Sequence, residues 1–99
     1  MNDPIAGSVS MPEVRLDAML REFASRRTLA TEAPTVGALL DELEGQFPRL
    51  RHKLRDETGA VRPFVRIFVD GEDISRSPGV GTSLSGVRSV EILHSIAGG

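Results

Sequence analysis

Apolar and polar residues alternate along three segments of the chain, and each alternation predicts a half-buried β-strand. The first covers residues 14–20, and the most regular covers residues 64–69. The last covers residues 89–93, where Val90 and Ile92 alternate with polar neighbours. A period of two is the spacing expected of a strand with one buried face, so we expect these segments to share a sheet.

Shorter elements are predicted next to two of these strands. Residues 26–31 form a weaker strand that would pair with the first as a hairpin, with residues 21–25 as the loose turn between them. Asp70 and Gly71 are a good hairpin turn, after which residues 72–74 would return beside the second strand. Residues 75–86, rich in glycine and serine, predict an irregular loop with one helical turn near Thr82.

The clearest helix follows Thr35, which is a suitable N-cap. Asp41, Glu42 and Glu44 would lie on its polar side, while Gly45 and Pro48 mark its end. A last helical turn would include Leu50 and Leu54. The apolar stripe of the helix recurs at three- and four-residue steps and consists of Val36, Leu39, Leu40, Leu43 and Phe47.

The order strand, strand, helix, strand, short strand, strand predicts an α+β domain. We expect a mixed sheet of four or five strands, covered on one face by one main helix. The predicted domain covers residues 12–94, after a disordered leader at residues 1–11. Residues 95–99 would be a flexible tail.

Composition removes several classes of function. The chain of 99 residues has no cysteine, which excludes disulfides, thiolate metal sites and cysteine nucleophiles. With a net charge of −2, the chain lacks the basic field of a nucleic-acid-binding protein. The basic cluster at residues 49–55 has no aromatic residues between its charges for base stacking. No apolar run reaches the roughly 18 residues of a membrane span, and we expect a cytoplasmic protein.

No group of residues predicts a catalytic centre in this chain. The segment Gly79-Val80-Gly81-Thr82-Ser83-Leu84 differs from a phosphate-binding loop, because Leu84 occupies the third glycine position and no lysine follows. His52 and His94 lack further ligands at suitable spacing, so no metal site is expected. The chain is therefore not expected to be an enzyme.

The sequence ends on Gly98 and Gly99, shortly after the last predicted strand. Two residues without side chains make a thin tail that can enter a narrow pocket of another protein. The terminal carboxylate is the one group here that could be activated, loaded and transferred. The alternative is a frayed terminus that happens to be rich in glycine.

Three segments together resemble the prokaryotic ubiquitin-like sulfur carriers of the MoaD/ThiS family, closest to its CysO-like branch. They are residues 64–74, residues 89–93 and the ending Ile96-Ala97-Gly98-Gly99. The resemblance covers about residues 12–99, and it is fairly specific only because the strand motifs occur together with the Gly-Gly ending. It implies the β-grasp fold.

The resemblance also implies a mechanism. Gly99 would be adenylated by an activating enzyme that uses ATP and magnesium, and then converted to a thiocarboxylate that donates sulfur in the synthesis of cysteine, molybdopterin or another thio-metabolite. The chain would bind no cofactor itself and would be a monomer when free. Its partners would be the adenylating enzyme and a sulfur-acceptor synthase. A protein modifier conjugated through Gly99 and a non-catalytic β-grasp binding module remain alternatives.

Partner contacts are expected on the sheet face away from the helix, where alternation would place Phe64, Arg66 and Phe68. Leu93 occupies the family's hydrophobic contact position, six residues before the terminal glycine. The reactive end is Gly99 with Gly98, and the predicted partner-binding residues are Phe68, Leu93, His94, Ile96 and Ala97.

Two positions depart from the family pattern. Asp17 lies on the predicted first strand, where relatives often carry an apolar contact residue. His94 and Ser95 replace the proline-containing pair that precedes the tail in many relatives. Either departure could change which partner is accepted.

Overall fold

The computed structural model describes residues 11–24, 28–75 and 79–94. Residues 1–10 of the predicted leader and all of the predicted tail lie outside these ranges. The described strands are β1 (Glu13–Leu16), β2 (Thr28–Ala30), β3 (Val65–Val69), β4 (Glu72–Asp73) and β5 (Ser89–His94). The α-helices are α1 (Ala18–Ala24) and α2 (Val36–Gln46), and short 3-10 turns occur at Pro48–Leu50 and Gly79–Gly81.

The five strands form one mixed sheet in the order β2-β1-β5-β3-β4. β1 and β5 pair in parallel at its centre, with Leu16 opposite Ile92, and the other neighbours are antiparallel. This arrangement confirms the predicted α+β class and the hairpin pairing of the first two strands. It also places β5, the last strand of the chain, between two partners.

α2 packs its apolar stripe against one face of the sheet. Thr35 caps the helix, because its side-chain oxygen accepts a hydrogen bond from the Ala38 backbone N–H at 3.2 Å. The stripe residues Val36, Leu39, Leu40 and Leu43 are buried with the inward residues of β1, β3 and β5. Each large side chain buried in this way contributes roughly 1.5–3 kcal/mol.

Helix α1 corrects the prediction for residues 14–25. The strand ends at Leu16 instead of continuing to residue 20, and a helix replaces its second half and most of the predicted turn. Asp17 begins this helix, since its Oδ1 atom accepts a hydrogen bond from the Leu20 backbone N–H at 2.9 Å. Leu20 and Ala24, four residues apart, are its buried side chains. A short apolar pattern fits a strand or a helix equally well, so the cap decides between them.

The Asp70-Gly71 turn confirms its prediction. Asp70 has a φ of 49° and Gly71 a φ of 87°, and a tight hairpin turn of this kind needs positive φ at both central residues. The Asp70 carboxylate also accepts hydrogen bonds from the backbone N–H groups of Arg88 and Ser89, both at 3.0 Å. The turn is therefore tied to the start of β5.

Two other turns differ from their predictions. The helical turn expected near Thr82 lies at Gly79–Gly81, close to the first turn of α2. A Cβ atom on Gly37 would lie 3.3 Å from the Val80 carbonyl oxygen, so this glycine allows the close approach. The turn after α2 is Pro48–Leu50, and it contains Leu50 but not Leu54, although both are fully buried.

An ion pair holds the segment that follows this turn against α2. Arg55 donates to both carboxylate oxygens of Glu44, at 3.1 and 2.8 Å, and to Asp41 at 2.6 Å. The hydrogen bonds that Arg55 donates to Glu44 raise the pKa of Arg55 above its ordinary value. A planar guanidinium fits this two-pronged contact better than a lysine ammonium would.

Replacing Thr35 with alanine removes the N-cap of α2 and leaves the Ala38 backbone N–H without its acceptor. We expect Thr35→Ala to lower the free energy of unfolding by about 1 kcal/mol. For a domain of this size the midpoint of thermal unfolding would fall by about 4–8 °C. Thr35→Ser, which keeps the capping oxygen, is the matched control. Equal midpoints for the alanine and serine variants would contradict the capping role.

Candidate functional site

The two faces of the sheet differ in chemistry. Along β3 the buried residues Val65, Ile67 and Val69 face α2, and along β5 Val90 and Ile92 do the same. The alternating positions project to the opposite side, which we call the open face. Its residues on the three central strands are Glu13, Arg15, Arg66, Phe68, Ser89, Glu91 and Leu93.

The register brings the two predicted apolar contact residues close together. Arg66 lies opposite Leu93, and Phe68 lies opposite Glu91, so Phe68 and Leu93 are diagonal neighbours on adjacent strands. Leu93 is 37% exposed and Phe68 is half-buried. The structure thus confirms the predicted side for Arg66 and Phe68.

The prediction that Phe64 lies on the sheet face away from the helix is wrong. Phe64 lies just before β3 and packs against the core cluster, and its ring centroid is 4.8 Å from that of His94. The strand pattern begins only at Val65, so alternation does not extend to Phe64.

Charged residues surround the apolar pair. Arg66 donates to Asp73 of β4 at 2.9 Å, and Glu91 lies opposite Arg15 of β1. The pKa of the Asp73 carboxyl is lowered, first by the hydrogen bond from the Ser75 backbone N–H at 2.8 Å and further by Arg66. Asp73 is therefore ionised at neutral pH, and the open face combines an apolar centre with charges of both signs.

His94 is the last described residue, and the tail of residues 95–99 starts from it. Its backbone N–H donates to Asp17 Oδ2 at 2.5 Å, and its ring packs on Phe64. Its ring atom Nδ1 is buried and has no hydrogen-bond partner within the described ranges. Both the backbone and the side chain of His94 are thus held by neighbours.

The other predicted site residues lie beyond this point. Ile96, Ala97, Gly98 and Gly99 are outside the described residues.

Sequence reasoning missed the role of Asp17, which it assigned to the middle of a strand. In the structure this residue joins the end of β1, the start of α1 and the end of β5. The signal was present in the sequence, since an aspartate three residues before a buried leucine is a common helix start.

The basic cluster has a structural explanation. The side chains of Arg49 and Lys53 both lie over the Phe23 ring of α1, with Arg49 Cζ at 5.4 Å and Lys53 Nζ at 4.8 Å from the ring centroid. These contacts join the turn after α2 to α1.

Within the described ranges, no group of three or more histidine, aspartate or glutamate residues could hold a metal ion. None of the helices within those ranges has the length and apolar character needed to cross a membrane. A groove of about 470 Å³ lies beside β3 and β4, and its lining includes Arg62, Arg66 and Val80 but neither Phe68 nor Leu93.

Comparison with known proteins identifies relatives of the chain along almost its whole length. The model of the ThiS family matches residues 14–99. The sulfur carrier protein CysO of Mycobacterium tuberculosis is 32% identical over 89 residues, which cover 87% of this chain and 96% of the relative.

Solved structures share the fold, which is the ubiquitin-like β-grasp. The solution structure of small archaeal modifier protein 1 from Methanosarcina acetivorans matches with a TM-score of 0.77 and 26% identity, over 90% of this chain and 98% of that one. A chain in the crystal structure of the Amycolatopsis orientalis BexX/CysO complex matches with a TM-score of 0.76 and 24% identity, over 88% of this chain and 98% of that one.

The exposure of Leu93 leads to a prediction about stability. Leu93→Ser should change the free energy of unfolding by less than about 0.5 kcal/mol, because the side chain is on the surface. Its neighbour Ile92 is fully buried, so Ile92→Ala should cost about 2–5 kcal/mol. Urea unfolding of both variants measures the contrast. A large loss in Leu93→Ser would show that this side chain belongs to the core.

Proposed function

The chain belongs to the ThiS family, and from that membership we propose that it carries sulfur as a thiocarboxylate on Gly99. The observation that carries this proposal is the extent of the family match, which runs to residue 99 and so includes the Gly98-Gly99 ending. The 32% identity to the sulfur carrier CysO over nearly the whole of both chains supports the same role.

The first step is activation of the carboxylate. A terminal carboxylate has a pKa of roughly 3.3–3.7, so it is ionised at neutral pH and is a poor electrophile. A carboxylate oxygen of Gly99 attacks the α-phosphorus of ATP, and the bond from that phosphorus to the leaving pyrophosphate breaks. The product is an acyl adenylate, whose AMP is a good leaving group.

The second step exchanges AMP for sulfur without any change of oxidation state. A hydrosulfide ion attacks the carbonyl carbon of Gly99, a C–S bond forms, and AMP leaves with the electron pair of the C–O bond. The S–H proton passes to solvent, and the thiocarboxylate remains. Its sulfur then attacks an electrophilic carbon of an acceptor and displaces the leaving group there. Water finally cleaves the resulting thioester, restoring the Gly99 carboxylate and releasing the thiolated acceptor.

We assign the binding of ATP and magnesium to a partner adenylating enzyme. We assign the transfer of sulfur to the acceptor to a sulfur-acceptor synthase. This chain supplies a docking face and a tail. An apolar centre with a charged rim is the usual composition of a protein interface, and on the open face Phe68 and Leu93 form that centre. Leu93 directly precedes His94, so a partner bound there would meet the start of the tail.

The similarity to CysO favours cysteine synthesis or a related thio-metabolite as the destination of the sulfur. The Amycolatopsis complex shows a CysO protein bound to a second protein, BexX, which supports a role in which the carrier docks onto its partner. The cytoplasm, where ATP is available, is the proposed location.

A second candidate function follows from the similarity to a small archaeal modifier protein. The same activated Gly99 could be attacked by a lysine amine instead of by hydrosulfide, and the product would be an isopeptide bond to a target. The two functions share the first step and differ in the nucleophile.

Mass spectrometry of the intact chain tests the carrier function. The full chain is incubated with ATP, magnesium, sulfide and the adenylating enzyme of the same organism. We expect a mass increase that corresponds to one oxygen replaced by sulfur, located at Gly99 by fragmentation. Deletion of Gly98 and Gly99 should abolish it. The absence of exchange with an enzyme that is active on its own carrier would refute the proposal, and isopeptide adducts on lysine would favour the modifier function.

Docking through the open face predicts a selective effect of Leu93→Ser. We expect the KM for the carrier in ATP-dependent adenylation to rise by about tenfold, since truncation of a hot-spot residue at the centre of an interface costs more than about 1 kcal/mol. The kcat should change little, because the tail is intact. Val80→Ser is the matched control, as Val80 is similarly exposed, at 39%, and lies near α2. Equal KM values for the two variants would exclude Leu93 from the interface.

A further inference from the structure

One carboxylate joins three elements at the point where the tail begins. Asp17 Oδ1 accepts from the Leu20 backbone N–H at 2.9 Å, and Oδ2 accepts from the His94 backbone N–H at 2.5 Å. The Asp17 backbone N–H itself donates to the Ile92 carbonyl at 3.2 Å. Asp17 and His94 are 77 residues apart in the chain, so this contact exists only in the folded protein.

The side chain replaces a backbone contact that helix α1 has removed. Leu16 pairs with Ile92 in the parallel ladder of β1 and β5. If this ladder continued regularly, its next hydrogen bond would run from the His94 N–H to the Asp17 carbonyl. That carbonyl instead accepts the Arg21 N–H at 3.0 Å, the first hydrogen bond of α1. The carboxylate supplies the missing acceptor, so β5 remains fixed for one residue beyond the end of the backbone ladder.

A second contact fixes the same residue from the other strand. His94 lies opposite Val65 of β3, and its ring packs against that of Phe64. The backbone of His94 is thus held on the β1 side and its ring on the β3 side. The last described residue is therefore held from both sides.

We propose that Asp17 is a positioning residue for Gly99, acting through His94 to direct the tail toward the reaction centre of the adenylating enzyme. This inference rests on the proposed carrier function. If the hydrogen bond is lost, the end of β5 frays and the free segment lengthens from five residues to six. The direction in which the tail leaves β5 then varies. The Gly99 carboxylate therefore reaches the α-phosphate of ATP less often in each docked complex.

A carboxylate suits this position because it presents two acceptor oxygens to two N–H donors. Asparagine has nearly the same size but only one acceptor oxygen, so its NH₂ group would face one of the donors. Serine retains an oxygen that can cap α1, but its shorter side chain has no second oxygen for His94. Both variants therefore preserve a capping residue while removing one of the two contacts.

Hydrogen exchange of the free carrier measures the contact itself. In Asp17→Asn and Asp17→Ser we expect the His94 amide to exchange about tenfold faster, as loss of a hydrogen bond to a charged group predicts. The amides in the middle of α2 should exchange faster only by the factor that a loss in the global free energy of unfolding explains. Unchanged exchange at His94 in both variants would overturn the inference, whatever the activity of the protein.

Steady-state adenylation with the full chain, ATP and the adenylating enzyme measures the consequence. We expect kcat to fall by about fivefold to tenfold while the KM for the carrier stays within about twofold, since docking is retained and placement of the tail is lost. Thr35→Ala is the matched control, because it removes the cap of the other helix and costs similar stability at a distance from the tail. It should leave both constants unchanged.

The outcomes separate this inference from the proposed function. If the wild-type chain is never adenylated, the carrier function fails, and the exchange experiment still decides whether Asp17 holds His94. If the wild-type chain is adenylated and the Asp17 variants keep its kcat, the positioning role is wrong. A rise in KM with unchanged kcat would also overturn it, because Asp17 would then belong to the docking contact.

Discussion

The parallel pairing of β1 with β5 holds the two halves of the sheet together. It joins the first and last strands of the domain at the centre of the sheet, with β2 added on one side and β3 with β4 on the other. Because β5 has a partner on each side, the chain leaves the sheet from its interior and not from a loose edge strand. His94, the last described residue, therefore belongs to a strand with a neighbour on each side.

The two faces of the sheet differ in what they contribute to the domain. One sheet face and α2 bury the core, which stabilises the domain. The open face has only short charged contacts such as Arg66 with Asp73, together with the apolar neighbours Phe68 and Leu93. A surface of that kind adds little to stability, so it can be adapted to a partner at small cost to the fold.

The candidate site was predictable where local patterns define it. The side on which Phe68 lies follows from strand alternation, and the Gly98-Gly99 ending is visible in the sequence. The position of Asp17 was not predictable in the same way. Its two partners, Leu20 and His94, lie on different elements, and the second is brought near only when the two terminal strands pair. The prediction for Phe64 failed for a related reason. The neighbours of Phe64 are determined by packing against the core cluster and not by the period of the strand.

The helix stripe with its Thr35 cap, the Asp70-Gly71 turn and the alternation of β3 and β5 follow from local sequence, because each depends on residues close together in the chain. Only long-range contacts place β5 between β1 and β3 and join one carboxylate to both α1 and the end of β5. These features depend on contacts between residues far apart in the chain. Local periodicity carries no information about such contacts, because their free energy is gained only when the whole sheet has formed.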